Sequence, residues 1–115
     1  MKRAVLIVIL LAACKPTPSL KEQYAGHWYE PTAEVAATLL QNHVQGCGEF
    51  YQKVSSYSQG EFAVACTRDG ANWDGYLVWP RIGKIIGPDL TMVWNIGGPP
   101  YAPTKDGKPG KFNRR

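Results

Sequence analysis

The chain has 115 residues, of which 44% are hydrophobic and 19% are charged, and its formal net charge is +4. This length corresponds to one small domain. The positive charge is concentrated in the last fourteen residues, where five basic residues accompany a single acid. Because a nucleic-acid-binding face needs clustered charge on a folded surface, we predict no nucleic-acid partner.

The first thirteen residues have the parts of a secretory signal peptide. Met1-Lys2-Arg3 is a basic start, residues 4–10 form an unbroken apolar run, and small residues follow. The run is far shorter than the roughly 20 apolar residues that cross a bilayer, so we do not predict a lasting transmembrane helix. The segment ends in Leu11-Ala12-Ala13-Cys14, which resembles the lipobox of bacterial lipoproteins.

The resemblance to bacterial lipoproteins implies that residues 1–13 are removed and that Cys14 is acylated, with palmitate among its chains. Lys15 follows the cysteine, which in enteric-type sorting implies the periplasmic face of the outer membrane. Three acyl chains would hold the protein stably on the bilayer, because two lipid signals already suffice. Two alternatives stay open: an inner-membrane location, and an ordinary signal peptide with an incidental thiol at Cys14.

With Cys14 assigned to lipid, Cys47 and Cys66 remain as one pair in an oxidising compartment. We predict a structural disulfide between them. It would close a loop of about 20 residues and contribute about 3 kcal/mol in the chain-entropy model. The alternative is two buried free thiols.

The first part of the mature chain predicts a tether and a helix. Residues 14–24 include a proline-rich segment that favours an extended chain, so we predict a lipidated tether there. Pro31 suits the first turn of a helix, and apolar residues recur at helical spacing over 32–45. His43 falls on this apolar stripe, and Gly46 is expected to cap the helix.

After the helix the pattern changes to short strands separated by turns. We predict strands at 49–56, 61–68, 73–79 and 84–86, while residues 90–96 fit a strand or a short helix equally well. Residues 97–115 are predicted to be a basic disordered tail. The fold class is therefore α+β, with one N-terminal helix packed on a three- to four-stranded antiparallel meander in a domain spanning 25–96. As architecture, this outline resembles small extracytoplasmic modules of the cystatin-like or PepSY type.

Aromatic residues supply the main functional hint. Four tryptophans and six tyrosines are many for one helix on one sheet to cover. A sheet face without a covering helix would expose some of them as a surface for a protein or a glycan. The alternative is that they pack in the core. The candidate surface residues are Trp28, Trp73, Tyr76, Trp79 and Trp94.

The sequence contains no converging acid, base and nucleophile, so we predict no catalytic residues and a non-enzymatic protein. The two histidines are isolated, and the segment 69–81 fails as a calcium loop because Arg81 stands where a bidentate Glu is needed. We predict no cofactor and no metal. The expected function is that of an envelope lipoprotein that binds an envelope protein as an accessory, inhibitory, exclusion or immunity factor. A glycan-binding module using exposed aromatics is the alternative, and a hydrolase is third.

Overall fold

The structure is a computed structural model that describes residues 18–101. The predicted signal peptide, the acylation site at Cys14 and the tail beyond residue 101 lie outside the described residues. The helices are α1 (Leu20–Gln23), α2 (Ala33–Gln41) and α3 (Met92–Asn95), with a 3-10 turn at Pro80–Ile82. The strands are β1 (Glu49–Val54), β2 (Phe62–Thr67), β3 (Trp73–Trp79) and β4 (Lys84–Asp89).

The four strands form one antiparallel sheet in the order β1-β2-β3-β4. This confirms the predicted α+β class and meander. The last strand runs past its predicted end at residue 86, through Pro88. A proline is tolerated there because β4 is an edge strand, so the missing N–H need not serve a neighbour. The other edge, β1, is partly covered by Tyr29, whose backbone exchanges two hydrogen bonds with Gln52.

Helix α2 begins as expected and ends earlier than predicted. The hydroxyl of Thr32 accepts a hydrogen bond from the backbone N–H of Val35, which caps the first turn. At the other end His43 has a φ of +58°, and the N–H of Val44 donates to the carbonyl of Leu39 at 3.0 Å. This left-handed turn, and not Gly46, closes the helix. His43 is consequently exposed, so its predicted place on the apolar stripe was wrong.

Both faces of the sheet are covered. On the side that we call the α2 face, Val35 and Leu39 of the helix pack on the sheet. The sheet residues buried there are Val64, Cys66, Tyr76 and Val78. The opposite side, which we call the closing face, carries Lys53, Ala63, Ala65, Trp73 and Leu77. It is covered by residues from both ends of the described chain: Tyr24, Trp28, Met92, Val93, Ile96 and Tyr101.

The folded part extends beyond the predicted domain of 25–96 on both sides. Residues 20–23 form α1 within the predicted tether, and Tyr24 after it is fully buried. At the other end Tyr101, predicted to lie in the tail, is also buried. Tyr24 and Tyr101 therefore pack on the sheet, although both lie outside the range predicted for the domain. The local composition of these segments is typical of linkers. Their contacts with distant parts of the chain nevertheless make them part of the fold.

The predicted disulfide between Cys47 and Cys66 is present. Its Cα atoms are 5.1 Å apart, and the two residues are separated by 19 positions in sequence. Cys66 is buried on the α2 face, and Cys47 lies in the connection between α2 and β1. The bridge therefore fixes the segment that follows the helix to the second strand.

Candidate functional site

The five aromatic residues proposed as a surface do not lie together. Trp73 is 3% exposed and Tyr76 is 6% exposed, and they point to opposite faces of the sheet. The ring of Trp73 lies edge-on to Tyr101 with 5.0 Å between ring centroids. The uncovered sheet face that the prediction required does not exist in the described part of the chain, because α3 and the segment after α1 occupy it.

Two of the remaining tryptophans are half-buried and hold other parts of the chain. The indole N–H of Trp28 donates to the carbonyl of Gly98 at 2.9 Å, and that of Trp79 donates to Glu61 at 3.1 Å. Only Trp94 is well exposed among the five, with 55% of its surface accessible. Trp94 is thus the only one of the five that offers a large aromatic surface to a ligand.

Lys53 is a buried cation on the closing face. Its ammonium donates to the carbonyl of Tyr24 at 3.3 Å and to that of Ile96 at 3.0 Å, and it lies 4.9 Å from the ring centroid of Trp28. Burial lowers the pKa of Lys53 because the charged form loses its hydration. The lysine binds the segment after α1 to the end of α3. No feature of the sequence around Lys53 distinguishes it from an exposed lysine.

Two carboxylates fix the ends of the described chain in a similar way. Glu61 accepts hydrogen bonds from the hydroxyl of Tyr24 and from Trp79, and Glu49 accepts one from the hydroxyl of Tyr101 at 2.9 Å. Burial, and then the nearby carboxylate, raise the pKa of Tyr24 and of Tyr101. These acids therefore act as acceptors that hold aromatic residues in place.

The turn between β2 and β3 is built by one aspartate. A side-chain oxygen of Asp69 accepts the backbone N–H groups of Asn72 at 2.8 Å and of Ala71 at 2.9 Å. These hydrogen bonds, led by that of Asn72, hold the pKa of Asp69 well below its usual range. The geometry confirms the interpretation of this segment as a turn in which Asp bonds the backbone. Within residues 18–101 no group of three or more His, Cys, Asp or Glu side chains is arranged to hold a metal ion.

A groove runs along one side of α2, where the helix meets the 3-10 turn, and we call it the α2 groove. Its volume is about 260 Å³. It is open to solvent, and the oppositely charged residues Glu34 and Arg81 are among its lining residues. The side chain of Asn42 donates to the carbonyl of Gly83 at 3.1 Å, which fixes the helix end to the turn. The lining residues are Glu34, Ala37, Thr38, Gln41, Pro80 and Arg81.

A second exposed surface lies on α3, and we call it the α3 surface. Met92, Val93 and Ile96 are buried against the sheet. Leu90, in the turn before α3, and Trp94, on α3, are both exposed, with 69% and 55% of their surfaces accessible. The α3 surface thus presents a leucine and a tryptophan to solvent.

Comparisons with known proteins do not extend this description. No protein family, curated protein or solved structure matches the chain. Within residues 18–101 there is also no helix with the length and apolar character needed to cross a bilayer. The functional proposals below are built on the residues of this chain alone.

Proposed function

We propose that this chain is a lipid-anchored envelope lipoprotein whose small domain binds a protein partner through the α2 groove. One observation carries the proposed anchoring. The chain has three cysteines, and Cys47 and Cys66 are bonded to each other, which leaves Cys14 at the end of the lipobox-like segment free for acylation. A structural disulfide is also typical of exported proteins and rare in the cytosol.

The α2 groove supports a protein as the partner. It is small and has charges of both signs, so it suits one or two side chains of a protein surface better than an extended apolar ligand. Glu34 and Arg81 would pair with opposite charges on the partner, and such pairing favours specificity and a fast association rate. The proposed roles are those of an accessory subunit, an inhibitor, or an exclusion or immunity factor.

The anchoring is tested by the intact mass of the protein isolated from membranes. We expect the mature chain to begin at Cys14 and to carry the added mass of acyl chains. The Cys14→Ser variant should lack that mass and leave the membrane fraction. A wild-type chain without added mass, or a variant that still fractionates with membranes, contradicts the proposal.

The partner site is tested by cross-linking in intact envelopes followed by affinity capture. We expect a defined envelope protein to be captured with the wild-type chain and lost with Arg81→Glu. Arg68→Glu is the matched control, because Arg68 is exposed and is not a lining residue of the groove. Equal capture by both variants would exclude the groove, and retention on purified peptidoglycan without a captured protein would favour the glycan-binding alternative.

A further inference from the structure

The start of the described chain is tied to one side of the domain. The side chain of Gln23 donates to the carbonyl of Pro18 at 3.2 Å, which holds the start of the chain to α1. Tyr24, directly after α1, packs with Met92 and Ile96 on the closing face. The chain therefore enters the domain in the layer that contains α3, on the side of the sheet opposite to α2.

The distance from this entry point to the proposed lipid anchor is short. Four peptide steps separate Cys14 from Pro18, and they reach at most about 14 Å when fully extended. If Cys14 is acylated, Pro18 must lie within that distance of the lipid headgroups. A tether this short keeps the domain next to the bilayer, so one side of the domain has to face the membrane.

We infer that the side formed by α1 and α3 lies against the membrane, with Trp94 and Leu90 of the α3 surface in the headgroup region. This inference rests on the proposed acylation of Cys14. Tryptophan is enriched at membrane–water interfaces, where its ring is partly apolar and its N–H can stay hydrated. Leu20 of α1 is exposed and lies two residues after Pro18, so it adds apolar area beside the tether.

The contact is expected to be apolar and not electrostatic. Lys21 and Glu22 of α1 have opposite charges, and Asp89 beside Leu90 is acidic. The surface therefore has no excess of positive charge with which to select anionic lipids. The protein should therefore bind zwitterionic vesicles and anionic vesicles equally well. In this orientation the α2 groove lies in the layer that points away from the membrane and stays accessible to a partner.

Fluorescence quenching by brominated lipids tests the orientation. The full acylated protein is reconstituted into phosphatidylcholine vesicles whose acyl chains are brominated near the headgroups. We expect quenching of the wild-type tryptophan emission and the loss of most of that quenching in Trp94→Phe. Trp79→Phe is the matched control and should keep it, because Trp79 is half-buried and held by Glu61.

A variant with its exposed tryptophan on the opposite side of the sheet tests the orientation further. Combining Trp94→Phe with Leu40→Trp places an exposed indole on α2, in the opposite layer, and this chain should stay unquenched. If the intact mass shows no acyl chains, the proposed function is overturned. If the chain is acylated and Trp94→Phe keeps the full quenching, or the indole at position 40 is quenched instead, this inference alone is overturned.

Discussion

The two faces of the sheet are closed in different ways. On the α2 face, aliphatic side chains such as Leu39 and Val64 pack beneath one regular helix, and a disulfide holds the segment after it. On the closing face, aromatic residues, a buried lysine and two carboxylates bind short segments from both ends of the described chain. The first face depends on area buried by a single element. The second also buries apolar residues such as Val93 and Ile96, and it adds directed hydrogen bonds between segments that are far apart in sequence.

Substitutions on the two faces should therefore have different effects. One kind lowers the stability of the whole domain, and the other also loosens particular segments from the sheet. A cavity on the α2 face lowers the free energy of unfolding of the whole domain, because apolar packing there is shared by the helix and all four strands. A lost donor on the closing face should also loosen the particular segments that it binds. The expected effects below are ordered from the largest to the smallest.

Leu39→Ala should lower the free energy of unfolding by about 3 kcal/mol, since it removes a buried leucine and leaves a cavity on the α2 face. Urea unfolding followed by near-UV circular dichroism measures the change. Leu40→Ala is the matched control and should cost less than about 0.5 kcal/mol, because Leu40 is 76% exposed. Similar costs for the two variants would contradict the packing of α2 on the sheet.

Lys53→Met should cost about 2 kcal/mol, because the carbonyls of Tyr24 and Ile96 stay buried and lose their donor. Hydrogen exchange should show faster exchange in α1 and α3, whereas α2 changes no more than the global stability requires. Lys84→Met is the control, since Lys84 is exposed and contacts only the ring of Trp79 among the contacts described. A stable Lys53→Met with unchanged exchange would show that the ammonium is not needed for closure.

Alkaline pH should weaken the closing face. The pKa values of Tyr24 and Tyr101 are raised in the folded state from the ordinary value of 10.0, so the folded chain keeps protons that the unfolded chain releases. Their contribution is fully present below pH 10 and is lost as the pH rises above it, by up to about 1.4 kcal/mol per pH unit for each tyrosine.

The lowered pKa of Lys53 has the opposite effect on stability. The unfolded lysine holds its proton up to the ordinary value of 10.5, whereas the folded one releases it earlier, so this lysine favours the folded state as the pH rises towards 10.5. Burial raises the pKa of Tyr76 as well, so three tyrosines act against one lysine and we expect a net fall in stability above pH 10. Urea midpoints at several pH values measure it. Tyr24→Phe should make the fall shallower, and an unchanged slope in that variant would contradict the role of the Tyr24 hydroxyl.

His43→Gly should stabilise the domain slightly, by about 0.5–1 kcal/mol, because glycine adopts a positive φ without the steric cost that His43 bears. His43→Ala keeps the Cβ in the same left-handed conformation and should not stabilise. A thermal melt of the two variants measures the difference. A gain in both would mean that the imidazole, and not the backbone, carries the cost.

The α2 face could be predicted from the sequence, because each of its elements has a local signal. The alternation of Phe62, Val64 and Cys66 predicts a strand, and the apolar spacing of Val35 and Leu39 predicts the helix that covers it. The compartment argument also predicted the disulfide. The strand and the helix follow from residues that are close in sequence, and the disulfide follows from the number of cysteines. Both kinds of information can be obtained from the sequence alone.

The closing face and the α2 groove could not be predicted, because their contacts are long-range. Trp28 and Gly98 are 70 positions apart, and Lys53 and Ile96 are 43 apart. No local pattern assigns such pairs, so the sequence is compatible both with an exposed aromatic face and with aromatic residues packed in the core. In the sequence Arg81 serves only to exclude a calcium loop, because its position beside α2 depends on how the 3-10 segment meets the helix.

Closure by both chain ends also determines when the domain can be completed. The hydroxyl of Tyr101 reaches Glu49 across 52 positions, so this side of the sheet cannot be covered until the last described residues are available. A nascent chain that lacks them leaves Ala65 and Trp73 open to water. Domains dominated by such distant contacts fold slowly. An incomplete chain would therefore keep apolar side chains exposed until its last described residues join the fold.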